Sequence, residues 1–496
     1  MTDLAAPATT GAPALDRLDR ALASGLAWTG LAKWGVQVLS WASTVLVARL
    51  LTPTDYGIMG MALVYLGLVQ MVSELGLGAA LVQRDDLDAS QVARLGGLSA
   101  LIGCGLFALS AALAPLIAAF FREPAVRAVV VVLATSFVLT GLQVVPNSLL
   151  MRGMAFRKLA AIEGLEALAQ ALVTLGLALA GARYWAIVLG VALPRALSTV
   201  LLMRARPHRL AWPRDLRALS GALAFGGRVV LSRLTWYAYS NADFAVIGRV
   251  LGTGPLGAYT IGWDIASIPI DKVQAVLGRV VLPVLAQVQR DRAAVTRYLS
   301  LLSEGLTLLV LPTSVGMALV APDFVAVVLG SRWQAAIVPL QALSAAVTFR
   351  SLNALYGLAL MALDETRQTV RVGVALVLVL PAAFLMAARL WGIGGVAVAW
   401  LVVYPLISIP LVLVYTLRRV GLPARTWLKA LWPALSSAGV MAVVVLMVQA
   451  GLRSAPGPLR LVLAVTAGAA AYGGVLLTLH RARARELLAA ARALRA

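Results

Sequence analysis

The sequence predicts an all-α polytopic membrane protein with about 14 transmembrane helices, and three observations carry that prediction. The 496-residue chain is 61% hydrophobic and only 13% charged, with a mean hydropathy of +0.90. That is too little charge to coat soluble domains of this combined length. Apolar runs of about 20 residues recur along the chain, each long enough to cross a bilayer, and short Arg-bearing breaks separate them. The alternating pattern of a membrane β-barrel is missing. Finally, the basic residues gather in alternate breaks, as they do when loops are sorted to two sides of a membrane.

In order, the apolar runs place helices at 28–50, 57–79, 94–118, 127–148, 159–180, 184–203, 220–246, 256–283, 299–320, 335–360, 370–390, 393–416, 428–450 and 459–480. An even number of spans leaves both termini on one side. The tails and even-numbered breaks hold 26 of the 42 Lys and Arg residues. Only Arg49, Arg122, Arg127, Arg183, Arg249, Arg332, Arg389, Arg453 and Arg460 fall at odd-numbered breaks. By the positive-inside rule both termini and the basic breaks are cytoplasmic. The net charge of +21 is therefore a topology signal, with contact to anionic membrane lipids as a secondary use. Nucleic acid is not expected as a partner. Residues 1–24 read as a cytoplasmic tail, 205–219 as a basic linker and 481–496 as a basic cytoplasmic tail. No cleaved signal peptide is expected, because the N-terminus carries Asp3, Asp16 and Asp19 and no short apolar core. One cysteine, Cys104, and two histidines, His208 and His480, provide no metal-ligand set, so no metal and no cofactor is expected.

An internal repeat organises the chain further. "ARLLTPTDYG" (48–57) and "GRVLGTGPLG" (248–257) align at an offset of 200, matching Arg49 with Arg249, Leu51 with Leu251 and Gly57 with Gly257. The same offset pairs Lys33 with Arg233, Gln37 with Tyr237 and Ser40 with Ser240. Helices 1–6 (25–204) and 7–12 (220–417) are then two parallel copies, with helices 13 and 14 (418–480) appended. Parallel six-helix lobes imply a pseudo-two-fold along the membrane normal and a cavity between them.

Seven basic residues remain within or near spans: Lys33, Arg195, Arg228, Arg233, Lys272, Arg279 and Arg350. Charge at bilayer depth is costly and faces a cavity or a partner. Lys33, Gln37, Ser40 and Thr44 share one stripe of helix 1, and Arg233, Tyr237 and Ser240 repeat it on helix 7. At 100° per residue, Asp243 lies about 60° from Arg228 and about 80° from Arg233. Lys33, Gln37, Arg228, Arg233, Tyr237 and Asp243 are thus the candidate cavity residues, although Lys33 also lies within snorkelling reach of the cytoplasmic surface. Asp243 reads either as a salt-bridge partner of Arg228 or Arg233 or as a site for a coupling ion. Asp264, Glu163 and Glu166 are the other candidate ion-coupling acids. Pro269, in "SIPIDKV", and Pro283 are candidate hinges. Most tryptophans mark interfaces; Trp34, Trp41, Trp236 and Trp263 lie deeper, for packing or for stacking on a sugar ring.

Catalysis is disfavoured. The outer breaks are short, with Asp55, Glu123 and Asp323 isolated in three of them, and no G-x-S-x-G or P-loop occurs. A membrane polymerase or ligase needs more than this, so movement of a solute is the expected activity and no enzyme is expected.

Several stretches resemble a known family: "ARLLTPTDYG", "ELGLGAALVQRDDL" (74–87), "LLMRGMAFRK" (149–158), "VIGRVLGTGPLGAYTIGWDIASIPIDKV" (246–273), "RVVLPVLAQVQRD" (279–291) and "FVAVVLGSRWQAAIVPLQAL" (324–343). They are similar to polysaccharide flippases of the multidrug/oligosaccharidyl-lipid/polysaccharide exporter superfamily, within the colanic-acid-exporter-like group of the polysaccharide transporter family. The resemblance implies alternating access in the bacterial inner membrane. The implied substrate is a polyprenyl-pyrophosphate-linked oligosaccharide repeat unit, moved across the membrane for exopolysaccharide, capsule or lipopolysaccharide assembly. Polysaccharide polymerase and glycosyltransferases are the implied protein partners. A cation-rich cavity suits pyrophosphate, whereas an acid-dominated one would favour the alternative, a cation-coupled drug antiporter of the same superfamily.

Overall fold

The computed structural model describes residues 42–73, 81, 88–212, 234–481 and 483. They form helices α1 (Pro53–Ser73), α2 (Ala89–Phe121), α3 (Ala125–Arg152), α4 (Phe156–Leu179), α5 (Tyr184–Ala205), α6 (Ala242–Val250), α7 (Thr253–Val288), α8 (Arg292–Phe324), α9 (Ile337–Ala362), α10 (Thr366–Ser408), α11 (Ala424–Gly451) and α12 (Gly457–Thr478). Among the described residues, nine helical segments are long and apolar enough to cross a membrane. The expected all-α polytopic architecture holds. The count of fourteen draws also on residues outside the described set, including most of 28–50 and the first half of 220–246.

The helix ends follow local chemistry. At "TPTD" the Thr52 amide and hydroxyl donate to Asp55 Oδ2 at 2.9 and 2.6 Å. Pro53 occupies the first turn, where an amide hydrogen is not needed. Asp88 and Gln91 exchange backbone-to-side-chain bonds of 2.6 and 3.0 Å at the start of α2. Asp291 accepts from the amides of Ala293 and Ala294 to open α8. Within α10 the chain bends at Gly392 (φ 61°, ψ −149°), a left-handed position suited to glycine. That bend falls between the two spans read at 370–390 and 393–416.

The chain forms two compact units. One holds the described residues up to 51, of 69–115 and of 127–230; the other holds those of 52–68, 116–126 and from 231 onward. In the first, α4 and α5 pack along each other, and Ser43 Oγ donates to Ala171 O at 3.2 Å. In the second, α9 packs against α7, α8 and α10, while α11 and α12 pack on each other and on α8. The second core is aromatic: Trp333, Trp400, Tyr259, Tyr356 and Phe384 are fully buried. Conversely, Leu309, Leu378 and Met447 are each about two-thirds exposed, as expected where lipid is the solvent for the outer faces.

Polar side chains join these apolar helices. Ser303 and Tyr356 share a hydroxyl bond of 2.8 Å, and Tyr472 donates to Leu308 O at 2.9 Å. Two ion pairs tie the last helix region to α8. Arg460 pairs with Asp323, which also accepts from Gln449 at 3.3 Å. Arg483 forks onto Glu304, with contacts of 2.9, 3.1 and 2.9 Å.

The repeat has a physical counterpart inside the second unit. The helices α1 and α7 start at Pro53 and Thr253, again 200 residues apart. A Cβ on Gly57 would stand 1.8 Å from Thr253 O, and one on Gly257 1.7 Å from Pro53 O. The approach is reciprocal, as in a two-fold contact, and only glycine permits it.

In the turn between α9 and α10, Glu365 accepts from Arg419 Nε and from Tyr415 Oη (2.9 Å). The hydrogen bond from Arg419, then that from Tyr415, holds its carboxyl below the usual range. A depressed carboxyl contributes stability above its unfolded pKa, near 4.3, and loses it as pH falls through the folded value. Glu365→Gln is therefore expected to lower the thermal midpoint slightly at pH 7. Thermal scans of both proteins at successively lower pH check this, because the difference should shrink as pH falls below the unfolded value.

Candidate functional site: a buried carboxylate and an aromatic box

The second unit contains a polar cluster assembled on α6, α7, α9 and α10. It begins at a break in the helix expected to run unbroken over 220–246. The described part is helical over 234–240, bends at Asn241 (φ −126°, ψ 8°) and resumes as α6. The run "SNAD" explains the interruption, since Ser, Asn and Asp side chains compete for backbone groups within a helix. Asn241 Nδ2 donates to Tyr237 O at 3.3 Å.

Asp243 lies in the first turn of α6 and is fully buried. Its Oδ2 accepts from Tyr259 Oη at 2.6 Å and from Trp400 Nε1 at 2.8 Å, and its Oδ1 from the Phe244 amide at 2.9 Å. Around it, Phe244 meets Tyr259 and Trp263 edge-on, with centroids 5.3 and 5.5 Å apart. Trp263 and Trp400 are 5.5 Å apart, and Trp400 continues to Phe384 and Tyr404 at 5.4 and 5.3 Å. The guanidinium of Arg350 lies 4.2 Å over the Trp263 ring and 5.3 Å over Trp400. Its charge acts on Asp243. Trp400 is buried, whereas Arg350 and Trp263 are half-buried.

The expected cavity residues are distributed as follows. Lys33, Gln37, Arg228 and Arg233 lie outside the described residues, so the suggested pairing of Asp243 with Arg228 or Arg233 does too. Tyr237 is buried, its hydroxyl donating to Val64 O at 2.8 Å and Leu63 O at 3.3 Å on α1. Asp264 is exposed, immediately after Trp263. Pro269 and Pro283 both fall within the continuous helix α7. In the first unit Glu163 is exposed, while Glu166 pairs with Arg195 at 3.3 Å. Arg195 also donates to Thr140 Oγ1 at 3.4 Å, beside the Gln143–Thr199 bond of 2.8 Å. Of the two clusters, only the one around Asp243 combines full burial, aromatic faces and a cation.

Sequence reasoning singled out Asp243 and Trp263 but gave Arg350 no partner and passed over Tyr259 and Trp400. The signal for Arg350 was its depth, halfway along a 26-residue helix. Its neighbours were hidden because Trp400 comes 157 residues after Asp243 in a separate helix.

Many spanning helices, a discontinuous one among them, and charged groups within the apolar region define a polytopic membrane protein of transporter type. A family model described as polysaccharide biosynthesis protein matches residues 46–338. The chain belongs to that family, which agrees with the resemblance carried by its motifs. Over 331 residues it is 26% identical to the teichuronic acid biosynthesis protein TuaB of Bacillus subtilis (strain 168), covering 64% of this chain and 67% of that one. It is 23% identical over 420 residues to the lipopolysaccharide biosynthesis protein WzxC of Escherichia coli (strain K12), covering 82% of this chain and 84% of the relative. In fold it is similar to the lipid II flippase MurJ in its inward closed conformation, with a TM-score of 0.72 and 14% identity over 92% of this chain and 99% of that one.

Proposed function

We propose that the protein is a flippase that carries polyprenyl-pyrophosphate-linked oligosaccharide repeat units across the bacterial inner membrane. The units would serve exopolysaccharide, capsule or lipopolysaccharide assembly. The observation that carries this reading is membership of the polysaccharide biosynthesis family together with a fold shared, over 92% of the chain, with a protein named as a lipid flippase. Both termini are cytoplasmic, on the distribution of Lys and Arg. Lys33 and Arg233 meet the pyrophosphate headgroup with Gln37 and Arg228 beside them, and the prenyl tail stays in lipid. Alternating access moves the headgroup, with Pro269 and Pro283 as flex points within α7. The chain moves its substrate and forms no bond in it; glycosyltransferases act before it and a polymerase after it.

A leaflet-resolved analysis of lipid-linked saccharides in a deletion strain tests this. Single repeat units are expected to accumulate on the cytoplasmic leaflet and to clear when the gene is restored. Accumulation on the outer leaflet would instead indicate a polymerase or ligase. Unchanged saccharide pools with altered drug susceptibility would indicate an antiporter.

A further inference from the structure

We propose that one end of the first unit is a binding surface for anionic phospholipid headgroups, built on the strap "RPHRLAW" (206–212). This role needs only that the chain spans a bilayer and does not depend on which solute is moved.

The strap is fixed at a definite depth. After α5 ends at Ala205 the chain runs without helix along the start of α2, where the Ala211 amide donates to Ala93 O at 2.9 Å. A Cβ on Gly97 would stand 1.9 Å from Ala211 O, and one on Gly96 3.1 Å from Leu210 Cδ2. The paired glycines thus form the seat of the strap, since backbone can come this close only where no side chain intervenes. The length of α2 then sets the level. Its 33 residues span roughly 50 Å, against a hydrocarbon core of roughly 30 Å. Roughly 10 Å is left over at each end, and Ala93 and Gly97 lie roughly 6 and 12 Å from the first residue of α2. The strap therefore sits at the level of the headgroups.

What the strap presents suits that level. Trp212 and Leu210 are 71% and 46% exposed, with Arg206 and Arg209 exposed beside them. Indole and guanidinium groups side by side are the chemistry of a membrane–water boundary. The charge extends beyond the strap. α4 and α5 pack along each other across the short turn at 180–183, so the first turn of α4 lies at the same end as the last turn of α5. Arg94, Arg157, Lys158, Arg204, Arg206 and Arg209 are all exposed at this end, where the described acids are Asp88 and Glu163. Arg157 and Lys158 oppose the dipole of α4 from its first turn, a cost that an outside anion offsets. By the distribution of Lys and Arg this end faces the cytoplasm, whose leaflet attracts basic segments through its anionic lipids. Charge alone would also match an acidic protein; an exposed indole and leucine at headgroup depth select lipid.

The test is native mass spectrometry of the full-length protein, released from micelles that contain dioleoylphosphatidylglycerol or, as the neutral arm, dioleoylphosphatidylcholine. The wild type is expected to retain phosphatidylglycerol in preference, and to lose that preference as salt is raised, because exposed charges are screened. Arg204→Gln, Arg206→Gln and Arg209→Gln together should weaken phosphatidylglycerol binding about a hundredfold, at about fivefold per arginine. Trp212→Ala should weaken retention of both lipids and leave their ratio near that of the wild type. Removal of three arginines from odd-numbered breaks, by Arg332→Gln, Arg389→Gln and Arg453→Gln, should leave the preference unchanged. Thermal midpoints in neutral micelles establish that each variant is folded. Equal retention of the two lipids by the wild type overturns the proposal and leaves the patch to an acidic protein. A folded triple variant of the strap region that keeps the wild-type preference overturns it too, as does equal loss in the second triple variant or a preference indifferent to salt.

Discussion

Cells whose only copy carries Lys33→Gln together with Arg233→Gln are expected to export no polymer at wild-type protein abundance, while each single variant keeps a measurable fraction. Charge-assisted bonds to phosphate are each worth about 1.5–3 kcal/mol, so two lost together correspond to a hundredfold or more. The pairing of these residues comes from the offset of 200, and α1 and α7 supply a physical trace of that offset. Their first residues, Pro53 and Thr253, and their glycines, Gly57 and Gly257, make one reciprocal contact. Polymer quantified against immunoblotted abundance is the measurement. Full export by the double variant would remove both residues from the substrate path.

The second large effect is on stability. Glu304 is fully buried and receives a forked bond from Arg483, whose side chain is 46% exposed. Removing one member of a buried pair leaves the other uncompensated, at a cost of 3–5 kcal/mol. The half-exposed arginine places Arg483→Ala near the lower end, about 3 kcal/mol. Adding Glu304→Gln should restore part of that, because a neutral amide no longer needs the cation. A double-mutant cycle on thermal midpoints in detergent gives the coupling. Strict additivity of the two changes would show that the pair does not act as a unit.

Much of the architecture was legible because lipid imposes length and apolarity on each span. Helices read at 184–203, 428–450 and 459–480 correspond to Tyr184–Ala205, Ala424–Gly451 and Gly457–Thr478. Ends moved outward by a few residues where caps lie beyond the apolar run, as at Asp291 before Arg292. The break at Asn241 was missed because hydropathy counts "SNAD" as a mild polar interval inside a long apolar helix, and the bend is a matter of backbone competition. The candidate site was legible residue by residue and not as a set. Asp243 could be picked out as an acid at depth, but its partners come from α7 and α10, and no periodicity connects helices so far apart in sequence. Tyr237 shared the polar stripe with Arg233, yet its hydroxyl meets the carbonyls of Leu63 and Val64, because a polar face on a helix serves neighbouring backbone as readily as solute.

The Glu304–Arg483 pair also has a consequence in time. The two residues are 179 positions apart, and ribosomes add roughly 5–20 residues per second. Each newly made chain therefore holds a lone acid in α8 for on the order of 10–35 s before its cation has been synthesised. Over that interval the acid must stay near water or borrow a partner from the insertion machinery. Closing of the fork then ties the segment that follows α12 onto α8.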